Sequence, residues 1–377
     1  MPPRSPLDDR LLAATTTVRG QDTAARLAAV HEMLDLAVRP GADARAIVLA
    51  LAGLDHAGTP PVLRETARAA IAVITRMVPA PRVEGGAALW GIADAAAFDP
   101  VASRRAAAGR PAVSVAIGTS AGGEPVTLDL RRESEGGGGA HLYVSGATGS
   151  GKTELLRTLA VGLAAAYPPE ELNLLFIDLM GGSAYQALTA LPHSVGFATQ
   201  LDYPTGTREL GEAIAGEVYR RQELLRGGGY GPRLVILCDD LSALVAYDPG
   251  FVEVLVLLGR VGGSLGMHLV LADERFEPQR LRGLATYLSQ RVALRTYSAA
   301  QSRELIGVPD AYELPNAPGH ALLRVGEAAP RAFRAAYVSE QYPPSWERLP
   351  DRPTELDVLI GRIAPHGERA RQLWPRG

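Results

Sequence analysis

"GATGSGKT", residues 146–153, fits G-x-x-x-x-G-K-[ST] at every fixed position, the pattern of a loop that wraps a polyphosphate. Gly146, Gly149 and Gly151 let the backbone turn with its N–H groups facing inward. Ala147, Thr148 and Ser150 complete that nest. A helix beginning at Lys152 adds the unpaired N–H groups of its first turn. The Lys152 ammonium is suited to the β- and γ-phosphates, and the Thr153 hydroxyl to Mg²⁺. The flanks agree, with a strand in "HLYVS" (141–145) and a helix in "ELLRTLAVGLAAAY" (154–167). The alternative is a chance glycine-rich turn. Base usage argues against it: of 38 lysines and arginines, Lys152 is the single lysine. MgATP is therefore the expected ligand.

Strand–loop–helix order continues outward from this loop. Short apolar runs place strands at Leu142–Ser145, Leu172–Ile177, Leu234–Cys238 and Met267–Ala272, each followed by a turn and a helical stretch. That alternation predicts an α/β fold, a mostly parallel sheet flanked by helices. Upstream, "PAVSVAIGTSAGGEPVTLDL" (111–130) reads as two strands, Val113–Ile117 and Pro125–Leu130, around a glycine-rich turn. Residues 1–80 read as a small α-helical region. Leu27, Val30, Leu34 and Val38 step by three and four along one helix face. A second helix covers 43–54, and a third starts with Thr59 as N-cap and Pro60 at its first position. The expected divisions are 1–80 helical, 81–135 linker and lead-in strands, 136–340 P-loop domain, and 341–377 proline-rich linker, short helix and tail.

The loop needs an acidic partner at the end of a second apolar strand. "LVILCDD" (234–240) supplies Asp239 for the Mg²⁺ and Asp240 where a hydrolytic water would be polarised. Cys238, inside that strand, reads as packing. As the only cysteine it excludes an internal disulfide and a cysteine-rich metal site. His193 and His268 are isolated and read as structural, while Arg220 and Arg221 read as surface or interface residues. The net charge of −3 gives no general attraction to nucleic acid or to an anionic membrane. No apolar signal core follows "MPPRSPLDDR", and no apolar run reaches membrane-spanning length. A cytoplasmic location is expected, with any membrane association made through a partner.

Longer stretches resemble a known family. "PPEELNLLFIDLMGG" (168–182), "LGRVGGSLGMHLVLADERFEPQRLRGL" (258–284) and "RVALRTYSAAQSRELIGVPDAYELPNAPG" (291–319), together with the loop, are similar to the FtsK/SpoIIIE ATPases. They resemble in particular the ATPase modules of EccC, the motor of type VII secretion. The likeness runs from 89 to 367 and leaves out residues 1–80. It implies a RecA-like fold, hexamer-type assembly, ATP at subunit interfaces, and either DNA pumping or protein export. Association with further copies or with an EccC-like motor follows, with a protein substrate; the charge does not favour DNA.

Three departures from the family pattern bear on hydrolysis. The family's Asp-Glu pair is Asp239-Asp240 here, which draws the second carboxylate back by about 1.5 Å, one C–C bond. The family's γ-phosphate-sensing glutamine is replaced by Glu274 in Asp273-Glu274-Arg275. A lysine the family carries after the second strand is absent from Leu179-Met180-Gly181-Gly182. The resemblance places a trans-acting arginine finger among Arg291, Arg295 and Arg303; each competes with the reading of a solvated arginine face. Two functions stay open: an ATP-binding module of a secretion machine with weakened or regulated hydrolysis, or an active soluble motor or DNA translocase.

Overall fold

A computed structural model describes residues 6–37, 39, 44–56, 58–77, 85–106, 109, 112–199, 205–281, 283–343 and 352–373. They fall into two compact units, one within 1–83 and 341–352, the other within 84–340 and 353–377.

The first unit carries helices α1 (Pro6–Val18), α2 (Thr23–Ala37), α3 (Ala44–Ala52) and α4 (Pro61–Met77). Val30, Met33 and Leu36 of α2 meet Ile47 and Leu51 of α3 and Leu63, Ala67 and Ile74 of α4 in a dry core. Spacings of three and four put these residues on one face of each helix. The sequence reading found three of these helices and missed α1. The Thr59 cap is corrected: the Pro60 carbonyl accepts from Arg64 N at 3.1 Å, so Pro60 is the cap. The Thr59 hydroxyl instead meets His56 Nε2 at 3.0 Å. Val38 lies outside the described residues.

The second unit runs α5 (Gly86–Leu89), α6 (Pro100–Ala106), β1 (Ser114–Thr119), β2 (Pro125–Asp129), β3 (Leu142–Ser145), α7 (Lys152–Ala166), β4 (Leu172–Asp178) and β5 (Ser194–Thr199). It continues with α8 (Thr205–Arg226), β6 (Arg233–Asp239), α9 (Leu241–Tyr247), α10 (Phe251–Val261), β7 (Met267–Asp273) and β8 (Gln290–Leu294). Then come α11 (Ala299–Ile306), α12 (Asp310–Glu313), β9 (His320–Val325), β10 (Arg331–Ala335) and α13 (Glu355–Ile363). The strands form one ten-stranded sheet in the order β2-β1-β10-β9-β8-β3-β7-β6-β4-β5. The run from β8 to β5 is parallel. From β8 outward through β9, β10, β1 and β2 every pairing is antiparallel. The expected mostly parallel sheet flanked by helices is therefore present, with an antiparallel extension. The stretch 81–135, expected as linker and lead-in strands, contributes α5, α6, β1 and β2 to this unit.

Helices cover both faces of the parallel part, so its strands are apolar throughout rather than alternating. On β6, Leu234, Ile236 and Cys238 pack with Leu210 and Ile214 of α8 and Leu255 and Leu258 of α10. Val235 and Leu237, also buried, take the opposite face by strand alternation. Arg221 is corrected: it is buried, donating to Glu217 Oε1 at 2.7 Å and to the Leu265 carbonyl at 2.9 Å. Arg220 also pairs with Glu217 but stays partly exposed.

Candidate nucleotide site

β3 lies between β7 and β8, so the loop that follows it emerges at the C-terminal edge of the parallel strands, where open α/β sheets bind ligands. Gly149 and Gly151 hold φ of 75° and 108°, left-handed values that glycine adopts without strain. A Cβ on Gly146 would lie 2.7 Å from Ser150 Oγ and 2.8 Å from Leu294 Cβ. The loop is anchored by Ala147 N to the Arg295 carbonyl (2.7 Å) and by Gly319 N to the Ser150 carbonyl (2.9 Å). Lys152 Nζ donates to the carbonyls of Gly146 (2.8 Å) and Ala147 (3.3 Å), which places the ammonium at the head of the loop.

Several donors suit a polyphosphate. Gly151 caps α7 without a side-chain bond, and among the described residues the N–H groups of Gly149, Gly151, Lys152 and Thr153 have no backbone acceptor outside the helix. The Ser150 hydroxyl is buried and has no partner among the described residues. A set of inward amides beside a cation fits a chain of phosphate oxygens.

Asp239 ends β6, with β7 between it and β3. It still meets α7: the Thr153 hydroxyl donates to Asp239 Oδ2 at 2.6 Å. Burial pushes the Asp239 carboxyl above its ordinary range, against the pull of the Thr153 hydrogen bond and with a further push from Asp178. A hydroxyl and a carboxylate side by side are the hard oxygen donors that Mg²⁺ takes, so these two residues fit the ion.

Asp240 holds a left-handed backbone (φ 63°) and caps α9, accepting from Ala243 N at 3.2 Å through Oδ1. With Asp273, Glu274 and Arg275 it borders a cavity of about 430 Å³ whose walls include Tyr143 and Leu241. Asp273, at the end of β7, accepts from the Ser242 hydroxyl (2.6 Å to Oδ1) and from Glu274 N (2.7 Å). Glu274 faces the loop: its carboxylate accepts from the Thr148 hydroxyl and from the Tyr297 hydroxyl (3.2 Å). The Thr148 bond, together with Lys152, holds the exposed Glu274 carboxyl below its ordinary range, against a smaller push from desolvation.

Arg291 does not present a free guanidinium. It donates to the carbonyls of Leu288 (3.1 Å), Leu305 (3.1 Å) and Ala285 (3.4 Å), and stacks over Phe276 at 4.8 Å. The expected finger at Arg291 is thus corrected to a clamp that ties β8 to its neighbours. Arg295 donates to Asn316 Oδ1 at 3.0 Å. Arg303 is exposed on α11. At Leu179-Met180, Leu179 is buried and Met180 projects outward, while Asp178 fixes the turn by accepting from Met180 N and Ala184 N, both at 3.0 Å. Cys238 is buried, as are His193 and His268, whose rings meet the carbonyls of Tyr167 (2.8 Å) and Ala140 (3.2 Å). Among the described residues no group of three or more His, Cys, Asp or Glu side chains is placed to hold a metal ion, and no helix is long and apolar enough to cross a membrane. Tyr297 was not singled out from sequence: it lies inside the family-like stretch 291–319, but only the placement of β8 beside β3 brings it to the loop.

The sequence pattern of the FtsK/SpoIIIE family matches residues 100–304. The chain is 38% identical, over 78% of its length, to the ESX-4 secretion system protein EccC4 of Mycobacterium tuberculosis, of which it covers 28%. It is 36% identical, over 74% of its length, to the ESX secretion system protein EccC of Thermomonospora curvata, of which it covers 25%. It thus spans about a quarter of the length of these curated relatives. The solved cytoplasmic domain of the Thermomonospora curvata type VII secretion ATPase EccC aligns with a TM-score of 0.72 at 37% identity, covering 79% of this chain and 36% of that one.

Proposed function

Because this chain belongs to the FtsK/SpoIIIE family, we propose that it is a nucleotide-binding module of a type VII secretion-like machine. It takes MgATP at residues 146–153 and hydrolyses it slowly. The loop amides and Lys152 hold the phosphates, and Thr153 and Asp239 hold the Mg²⁺. Bound there, the ion would neutralise charge on the β- and γ-oxygens. The observation that carries slow hydrolysis is Asp240, whose carboxylate is turned back onto the first turn of α9. A base must lie within hydrogen-bond reach of the proton it takes, and Asp240 is both short and engaged. Glu274 supports the same reading, since it puts an anion at the head of the loop. Exposed Arg303 suits a role across a subunit boundary, with another copy or an EccC-like motor as partner. A protein substrate accords better than DNA with the secretion relatives and the net charge of −3.

Calorimetry with phosphate release tests this. Nucleotide uptake should need Lys152 and weaken on Mg²⁺ removal, and Asp239→Asn should abolish that Mg²⁺ dependence. Turnover should stay well below about 1 s⁻¹, the low end of ordinary enzymes. Lys152-dependent release at or above that rate would refute slow hydrolysis.

A further inference from the structure

The two strands flanking β3 each send one side chain to the same loop residue. β7 is in register with β3, Ser145 opposite Asp273, so Glu274 leaves the sheet beside the loop. β8 pairs on the other side, Ser145 opposite Ala293, and its continuation carries Tyr297. The two meet over Thr148. The Thr148 hydroxyl donates to Glu274 Oε1, and the Tyr297 hydroxyl reaches Glu274 Oε2 at 3.2 Å. Thr148 N donates to the Tyr297 hydroxyl at 3.0 Å, and the two hydroxyls lie 2.8 Å apart. Arg275 lies over the Tyr297 ring at 5.8 Å. One loop amide that a phosphate would use is thus already engaged, and a carboxylate stands next to it.

This cluster sits at the end of the loop where the terminal phosphate belongs. The ammonium that reaches the β- and γ-phosphates rests on the carbonyls of Gly146 and Ala147, the two residues just before Thr148. A diphosphate can use the donors of 149–153 and leave the cluster intact. A third phosphate brings further negative charge against Glu274 and competes for the Thr148 amide. The cluster is exposed, so solvent moderates the repulsion between like charges at short range without removing it, and the competition for the Thr148 amide adds to it.

We propose that Glu274, braced by Thr148 and Tyr297, makes this site select nucleoside diphosphates over triphosphates, so that a triphosphate enters only by opening the cluster. The proposal rests on the nucleotide-binding reading above and narrows it: MgATP still binds at residues 146–153, but more weakly than MgADP. The test is calorimetry on the full chain with MgADP and with a MgATP analogue whose β–γ bridge cannot be hydrolysed. The unaltered protein should bind MgADP about tenfold or more tightly than the analogue. Glu274→Gln should shrink that preference by about tenfold or more through tighter analogue binding, with MgADP changing less than about threefold. Tyr297→Phe should move the ratio in the same direction by less. Analogue binding equal to or tighter than MgADP in the unaltered protein overturns the proposal whatever the variants do. So does a Glu274→Gln change that shifts both ligands alike. Both of these leave nucleotide binding standing, whereas failure to bind either ligand overturns that reading as well.

Discussion

At the scale of single residues, Asp240 shows how one side chain can serve two ends badly. Its short carboxylate suits an N-cap, which aspartate makes well and glutamate makes poorly, and its left-handed backbone is one that aspartate tolerates better than most residues. The same brevity and engagement keep it from a hydrolytic water. Asp240→Glu combined with Glu274→Gln should therefore raise Lys152-dependent phosphate release by about tenfold or more, since a ~1 Å misplacement can cost about 100-fold. The same double change should lower stability by roughly 1 kcal/mol through loss of the cap. Parallel phosphate-release and urea-unfolding measurements check both, and no gain in turnover would count against this account of the defect. Lys152, Thr153 and Asp239 could be picked out in the sequence because their chemistry is written locally, in an eight-residue loop and at one strand end. Tyr297 and the clamp role of Arg291 could not. Their distant partners, Thr148 for Tyr297 and Leu305 for Arg291, are brought near only by the fold, and the local Arg291 partners Leu288 and Ala285 are backbone carbonyls that carry no residue signal.

At the scale of elements, β1, β2, β3, β4, β6 and β7 were read from sequence, while β5, β8, β9 and β10 went unread, although β5 and β8 are as buried as most of the strands that were found. β10 carries Arg331 and Arg334 on exposed positions and buries only Phe333, so its pattern is faint. Helix α7 was plain in the sequence, but the reason for Gly162 in its middle was not. A Cβ there would lie 2.5 Å from Trp90 Cζ2 and 2.8 Å from Val115 Cγ2, and the Trp90 indole is fixed by its hydrogen bond to the Ala116 carbonyl at 2.9 Å. An ordinary mid-helix Gly→Ala change gains about 1 kcal/mol. Gly162→Ala should instead cost roughly 1–3 kcal/mol by overpacking, seen in urea unfolding followed by tryptophan fluorescence; a stabilised variant would contradict the packing. On α8, Arg221→Ala should cost on the order of 3 kcal/mol, because Glu217 is left buried with weaker partners. Arg220→Ala, at a partly exposed pair, should cost under about 1 kcal/mol by the same measurement.

At the scale of the whole chain, the largest pH sensitivity comes from histidines that have no part in nucleotide binding. His141, His193 and His268 are all buried in the second unit. Burial brings the first two down to about 4 and the third to about 3. His141 must stay neutral at Nδ1, which accepts from Leu269 N at 3.0 Å. In the unfolded chain each titrates near 6.5. Between 6.5 and 4 the unfolded state therefore binds more protons than the folded one, and stability falls as pH falls. Each histidine contributes a slope approaching about 1.4 kcal/mol per pH unit across that window. His141 and His268 repel each other's protonation, so their contributions do not simply add. The carboxyls of Asp239, Asp273 and Glu355, raised chiefly by burial, act in the opposite sense. Their stabilisation is present at low pH and lost as pH rises, which blunts the histidine effect toward pH 4. The expected outcome is a second unit that loses several kcal/mol between pH 6.5 and 4.5, a large share of a typical folding free energy of about 5–15 kcal/mol. Urea midpoints at half-unit pH intervals measure it, with net proton uptake on unfolding as an independent count. A midpoint that holds level from pH 7 to 4.5 would mean that the three rings are not buried as neutral groups, and the sheet packing around β3 and β7 would need to be redrawn.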